Sequence, residues 1–351
     1  MVAASAPPIW AVPRGTEGVR IMTQAVAGRM SIAECLAGTG LDESDLADED
    51  AEIWAHQEFT VVRNIVGRLG DQPGRGTEIG GFSTLGRTGI VGYAFLTSAT
   101  VRDGFERTIP YLALAPSHMP LSLGGDDAHD YIRADDSDIP ADIRSFVVER
   151  DLGGLAAVLQ GANVNLVPEW IETSLAPEHA ERLARCWSAT CDIRPRRSIN
   201  RIAFPAGAFD VALPQADSNT ARVVERQCQQ LLERRLSRVG VAGQVRSRLM
   251  HDQSAFPSMQ ELADELHLDP RTLRRKLTDE GTSFRNLVAD VRRGRAERLL
   301  NDDLPIEAVA RQLGYAETAS FTRAFIRWTG SSPSRFRASA RCDRSATDSA
   351  G

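Results

Sequence analysis

Apolar residues recur at helical spacing through Val19, Met22, Val26, Met30 and Ile32, so the stretch Gly18–Leu46 is expected to be helical. A second helical pattern covers Glu52–Leu69. The next run, GDQPGRGTEIGGFSTLGRTG (70–89), is rich in glycine and reads as turns. Its Gly74-x-Gly76 fragment lacks the preceding apolar strand and the third glycine of a dinucleotide loop. Two more helices are expected in residues 90–115, broken at Ser98–Thr100, where Thr100 and Asp103 have the spacing of a capping box with Asp in place of the usual Glu. Alternating segments then predict strands at DYIRADD (130–136), ANVNLV (162–167), CDIRP (191–195) and NRIAFP (200–205), with helices at Pro140–Gln160 and Pro177–Trp187 among them. Strand signals stop near Leu213–Asp217. Residues 218–239 form a polar amphipathic helix suited to a connection, and from Val245 onward every segment has helical period. The pattern therefore describes an α+β domain followed by an all-α domain.

Composition changes this picture in one respect. The 351-residue chain carries a net charge of −6 and a pI near 5.6. The charge is unevenly placed: residues 221–340 carry about +6 and residues 1–220 about −12. The C-terminal third would approach a polyanion while the rest is held off it. No apolar run has the ~18 residues of a membrane helix, and the N-terminal residues show no export signal. Five scattered cysteines, Cys35, Cys186, Cys191, Cys228 and Cys342, do not form a disulfide framework, so a reducing cytoplasmic setting is expected.

Within ELADELHLDPRTLRRKLTDEGTSF (261–284), Arg271, Arg274 and Arg275 crowd together beside the only lysine of the chain, Lys276. Ser258 and Glu261 are spaced as a capping box, and Met259, Leu262, Ala263 and Leu266 form one apolar stripe. Asp269–Pro270 is a restart signal, an N-cap followed by proline at the first helical position. In the second helix Leu273 and Leu277 share a face, while Arg271, Arg274 and Arg275 gather on another. This is the pattern of a helix-turn-helix whose second helix carries an outward basic ridge.

A second copy follows at Leu304–Trp328. Pro305 is expected at the helix start, Ile306, Val309, Ala310 and Leu313 form the stripe, Gly314–Tyr315 the turn, and Phe321 and Phe325 the anchors of the next helix. Its outward candidates are Thr318, Ala319, Thr322 and Arg323. Between the copies lies a helix with Phe284, Leu287, Val288, Val291 and Leu299 or Leu300 facing inward. Eighteen helical residues span ~27 Å. With the helices it joins, such a rod separates two recognition helices by about one duplex turn, ~34 Å.

These residues resemble the AraC/XylS-type transcriptional regulators. The specific match is GYAETASFTRAFIRWTGSSPSRFR (314–337), at Gly314, Tyr315, Ser320, Phe321, Arg323, Phe325, Gly330, Pro333, Phe336 and Arg337. Ala316 departs from the family pattern, which commonly has a capping residue there. A weaker likeness extends into the N-terminal half, to the subgroup with an arabinose-binding-like sensor and dimerisation domain. The resemblance implies a cytoplasmic activator or repressor that binds double-stranded DNA, contacts RNA polymerase, responds to a small-molecule effector and forms a homodimer. With the composition and patterning above, the domain plan is a flexible arm over 1–17, an α+β domain over 18–217 to which the resemblance assigns effector sensing and dimerisation, a connecting helix or linker over 218–244, a double helix-turn-helix DNA-binding domain over 245–337, and a small, polar, disordered tail over 338–351.

The expected DNA-binding residues are Arg271, Arg274, Arg275, Thr318, Ala319, Thr322 and Arg323, with no cofactor, no metal and no membrane partner. The effector-binding residues cannot be named from the sequence. Asp126, Asp127, His129 and Asp130 in GDDAHD read as a solvated acidic loop rather than a metal site, and His118 as a structural or surface residue. Cys186 and Cys191 lack the second close-spaced pair of a structural zinc site, and Cys228 reads as packed rather than reactive. No cysteine has a neighbouring histidine, which argues against the DNA-repair methyltransferase that also carries this kind of DNA-binding block, and against an enzyme generally. A regulator governed by a partner protein rather than a ligand is the other alternative.

Overall fold

The computed structural model of the chain describes residues 12–48, 51–164, 166–188, 190–251, 256–301 and 304–337. The expected tail, Cys342 and the first eleven residues of the expected arm lie outside them. The chain divides into two compact units, Met1–Val239 and Gly240–Gly351.

In the first unit the single helix expected over Gly18–Leu46 is instead three: α1 (Glu17–Ala25), α2 (Ile32–Leu36) and α3 (Glu43–Ala47). Gly28 and Gly38, at φ of 84° and 71°, leave the helical region between them. Two capping boxes, Ser31 with Glu34 and Asp42 with Asp45, then restart the helix. Residues 12–17, grouped with the arm by composition, are built into the unit. Val12 is fully buried, and β1 (Arg14–Gly15) pairs antiparallel with β2 (Glu52–Ile53). The second expected helix begins after β2, as α4 (Ala55–Leu69), and buries Phe59, Val62 and Ile65.

The glycine-rich segment is not only turns. It contains α5 (Arg75–Gly80), followed by α6 (Gly89–Leu96) and α7 (Val101–Thr108), the last capped by Thr100 through the Asp103 N–H. The glycines of α5 serve close approach to α8 (Arg144–Gly161), a helix buried on most of its sides and therefore central. A Cβ on Gly76 would stand 2.3 Å from the Phe146 carbonyl oxygen, and one on Gly80 2.3 Å from that of Arg150. Backbone cannot yield as a flexible side chain does. Gly80→Ala is expected to cost about 1–3 kcal/mol through overpacking, read as a lower urea midpoint; an unchanged midpoint would show that the two helices can part freely.

Five strands form the sheet: β3 (Leu121–Gly125), β4 (His129–Ala134), β5 (Trp170–Glu172), β6 (Asp192–Arg194) and β7 (Asn200–Pro205). Their order is β3-β4-β7-β5-β6, antiparallel except for the β5–β6 pair. Ile202 lies opposite both Ile132 and Ile171, and this face joins the core; Ala203 lies opposite Tyr131 and Trp170 on the other face, where the Arg201 guanidinium sits 4.8 and 4.9 Å from the two ring centres. The strand expected in ANVNLV does not form among its described residues, because Asn163 turns left-handed (φ 58°) at the end of α8. The acidic loop is the β3–β4 turn, with Asp126 accepting the Ala128 and His129 N–H groups and the Tyr131 hydroxyl. After α9 (Pro177–Trp187), α10 (Ser218–His251) is interrupted at Gly240 (φ 64°, ψ −179°). Its first part buries Ala221, Val224 and Cys228, the last two clustered with Val91, Ala94 and Ala115, and burial pushes the Cys228 thiol up to about 11.

The second unit is entirely helical among its described residues: the end of α10, then α11 (Met259–Glu265), α12 (Pro270–Asp279), α13 (Phe284–Asn301), α14 (Ile306–Gln312) and α15 (Thr318–Thr329). Leu300, Val309, Leu313, Phe321 and Phe325 close one core, with the Phe321 and Phe325 rings 5.7 Å apart. Leu262, Ala263, Leu273, Leu277 and Leu287 are buried around the first helix pair. No described helix is long and apolar enough to cross a membrane.

Candidate nucleic-acid interface and inner cavity

The first helix pair is fixed at both ends by local chemistry. Ser258 accepts the Glu261 N–H at 3.2 Å while Glu261 accepts that of Ser258 at 2.7 Å. His267 turns left-handed (φ 53°) and ends the first helix. Asp269 then accepts the Thr272 N–H at 2.9 Å, and Pro270 opens α12. The caps hold the Asp269 and Glu261 carboxyls below the usual carboxylate range, led by the Thr272 hydroxyl for Asp269 and the Ser258 N–H for Glu261. Two further contacts brace the pair. Arg248 forks both oxygens of Glu265, and Glu280, just past α12, accepts the Val241 and Ala242 N–H groups at 2.8 and 2.7 Å. The end of α12 thus caps the helix that resumes after Gly240.

Leu273 and Leu277 are buried, and Arg271, Arg274, Arg275 and Lys276 are exposed. The three arginines lie on one side of α12, as their spacing requires. On α15 the expected residues part. Ala319 and Arg323 are exposed opposite the buried Phe321 and Phe325, whereas Thr318 and Thr322 are half-buried at the flank. The Thr322 hydroxyl donates to the Thr318 carbonyl at 2.9 Å, so its hydrogen is used within the helix. Arg323 donates to the Ser320 hydroxyl at 3.1 Å. Sequence reasoning missed Ile326, 44 % exposed, and Arg327, both on the outer side of α15. Continuing the Ala319–Arg323 spacing by three and four residues would have found them.

The N-cap of α15 is Glu317, one residue after the departure at Ala316, and it makes no side-chain cap hydrogen bond. Glu317→Asp keeps the charge and shortens the side chain to capping length. It is expected to raise the stability of the chain by about 0.5–1 kcal/mol. A urea titration that shows no gain would mean the first turn of α15 cannot accept a cap.

The first unit contains an open cavity of about 820 Å³, mouth included. Its walls are mostly apolar: Val91, Phe95, Phe105, Leu112, Met119 and Leu155. Arg150 and Asp151 lie in its wall and belong to a buried cluster with Arg14, Glu58 and His118. Arg150 donates to Glu58 at 3.1 Å, to Asp151 at 2.8 Å and to His118 Nδ1 at 2.6 Å. Asp151 also accepts the N–H groups of His118 and Met119. The His118 ring accepts at Nδ1 and places Nε2 3.3 Å from Glu58, which fits a neutral imidazole protonated at Nε2. The sequence signal for this cluster was Glu149–Arg150–Asp151 inside the apolar run of α8.

Residues 30–213 match the family described as the arabinose-binding domain of AraC transcription regulator, N-terminal, and residues 262–339 match a helix-turn-helix domain. The chain is an AraC-type transcriptional regulator. An uncharacterized HTH-type transcriptional regulator of Mycobacterium tuberculosis is 35% identical to this AraC-type regulator over 337 residues, 94% of this chain and 98% of its own. The ornithine utilization regulator of Pseudomonas aeruginosa is 29% identical over 76% of this chain and 79% of its own. The crystal structure of the P. aeruginosa transcriptional regulator CdpR covers 92% of this chain and 98% of its own at 22% identity, with a TM-score of 0.46. The α+β sensor-type domain and the helix-turn-helix domain of the AraC-type regulator thus stand in the order the sequence motifs implied.

Proposed function

We propose that this AraC-type regulator reads promoter DNA with α12 and α15, and that a small molecule in the cavity of its first unit controls that reading. The observation that carries the DNA contact is the exposed Arg271–Arg274–Arg275 ridge on a helix whose other face is buried and whose start is doubly fixed. Arginine forks suit guanine edges and phosphates alike. Arg271, Arg274 and Arg275 serve one groove; Ala319 and Arg323, with Thr318 and Thr322 at the flank, serve the next. α13 is the rod between them, eighteen residues and ~27 Å long. Footprinting of the purified protein on genomic fragments it retains should reveal two protected tracts about one helical turn apart. A single tract, or none, would remove the two-helix reading.

The cavity supports effector control, because an apolar pocket with a few polar groups at one end is the usual form of a small-molecule site. Binding would act by favouring one of two arrangements of the protein with different affinity for DNA. The same proposal places the protein in the cytoplasm, as a homodimer that contacts RNA polymerase, on the strength of the family resemblance. Operator affinity measured across a metabolite panel tests it. Binding that never alters affinity or transcription would instead favour control by a partner protein.

A further inference from the structure

Beside the apolar cavity lies a second hollow of about 610 Å³, mouth included, and the two share Thr88, Ala115 and Pro116. Its lining is of a different kind. Arg14 and Arg87 face it together with Glu17, giving two cations against one carboxylate. Arg14 Nε and Arg87 Nη1 are buried and have no hydrogen-bond partner among the described residues. α1 and α6 both begin at this hollow, at Glu17 and Gly89, and neither has a side-chain cap from Thr16 or Thr88. Two helix starts thus add partial positive charge to the two guanidinium groups.

The hydrogen bonds of the buried cluster are unevenly shared between its two arginines. Arg150 holds Glu58, Asp151 and the accepting nitrogen of His118, as described above. Arg14 is left with Glu58 at 3.5 Å, the Ser117 carbonyl at 2.9 Å and His118 Nε2 3.0 Å from its Nη1, while its Nε has no partner among the described residues. Burial accordingly holds the Arg14 guanidinium below the ordinary arginine value. The same burial is outweighed at Arg150 by Asp151 and Glu58. Arg14 is 2 % exposed, so bulk water does not reach its unpartnered Nε.

We propose that the effector is an organic monocarboxylate, its apolar body in the Phe95–Phe105 cavity and its carboxylate between Arg14 and Arg87. The head accepts charge-assisted hydrogen bonds from the two guanidinium groups, whose Arg14 Nε and Arg87 Nη1 have no partner among the described residues. The inference rests on the reading of the first cavity as the effector site.

The test is calorimetric titration of the full-length protein with octanoate and 4-phenylbutyrate, each beside the alcohol of the same skeleton, and with acetate. At least one acid should bind about tenfold or more tightly than its alcohol. Acetate should bind far more weakly than either acid. Arg87→Gln should abolish the preference for acid over alcohol. Arg87 is the residue to change because it is partly exposed and its other contacts, to Gln24 and Glu17, lie at the surface. Acid and alcohol binding equally would overturn the head-group site and leave the cavity reading standing. So would an acid preference that survives Arg87→Gln. Acetate matching the longer acids would overturn the shared occupation of the two hollows. No binding by any acid or alcohol would overturn the inference together with the reading beneath it.

Discussion

Arg274→Ala is expected to lower operator affinity by about 1–3 kcal/mol, roughly tenfold to a hundredfold, if its guanidinium forks a guanine. The loss would fall on the specific site alone, and preference at one base position would relax. If Arg274 instead holds a phosphate, affinity for specific and random duplexes should fall together, and the slope of log affinity against log salt should shrink by about one. The two outcomes are separated by measuring both duplexes at several salt concentrations. Arg271→Ala and Arg275→Ala are read in the same way, and all three side chains are exposed, so the fold should survive each change. A chain with all three replaced that still binds its operator at full affinity would sink the assignment of α12 as a recognition helix.

The largest loss of stability is expected from Glu58→Gln. Glu58 is fully buried and accepts from both Arg14 and Arg150. Glutamine nearly keeps its volume and removes its charge, leaving two buried guanidinium groups to share Asp151. Removing one partner of a buried ion cluster costs about 3–5 kcal/mol, because the remaining charges stay desolvated without compensation. The expected readout is a matching fall in the free energy of urea unfolding of the full chain. A cost below about 1 kcal/mol would show that water reaches the cluster and screens it as at a surface. The consequence extends to function: the cluster forms part of the wall of the proposed effector cavity through Arg150 and Asp151. A protein stabilised elsewhere but carrying Glu58→Gln should therefore also lose its response to effector.

How much could be read in advance differed between the units. In the second unit the structure follows the pattern closely: the Ser258–Glu261 box, the Asp269 cap, the buried Leu273 and Leu277, and the Phe321–Phe325 pair all stand where spacing put them. The start of α14 differs, since Pro305 precedes the first turn as its N-cap, and Thr318 and Thr322, expected to face outward, are half-buried. In the first unit α9 spans the expected Pro177–Trp187, and β7 the expected Asn200–Pro205. The short strands β3 and β5 went unseen, because LSLGG and WIE are too brief to show alternation. The glycines of α5 were read as turns when their purpose is contact with α8, which no local window contains.

From the sequence alone came the helical pairs, their caps and the basic ridge, since a cap and its amide or a stripe and its ridge are fixed within three or four residues of each other. Only the tertiary structure brought Arg14, Glu58, His118 and Arg150 together. Those residues are spread over more than a hundred positions, and burial, not spacing, makes their charges matter to one another. The basic ridge proposed to face DNA is a property of one helix, and the cavity within the first unit is a property of that unit's whole fold.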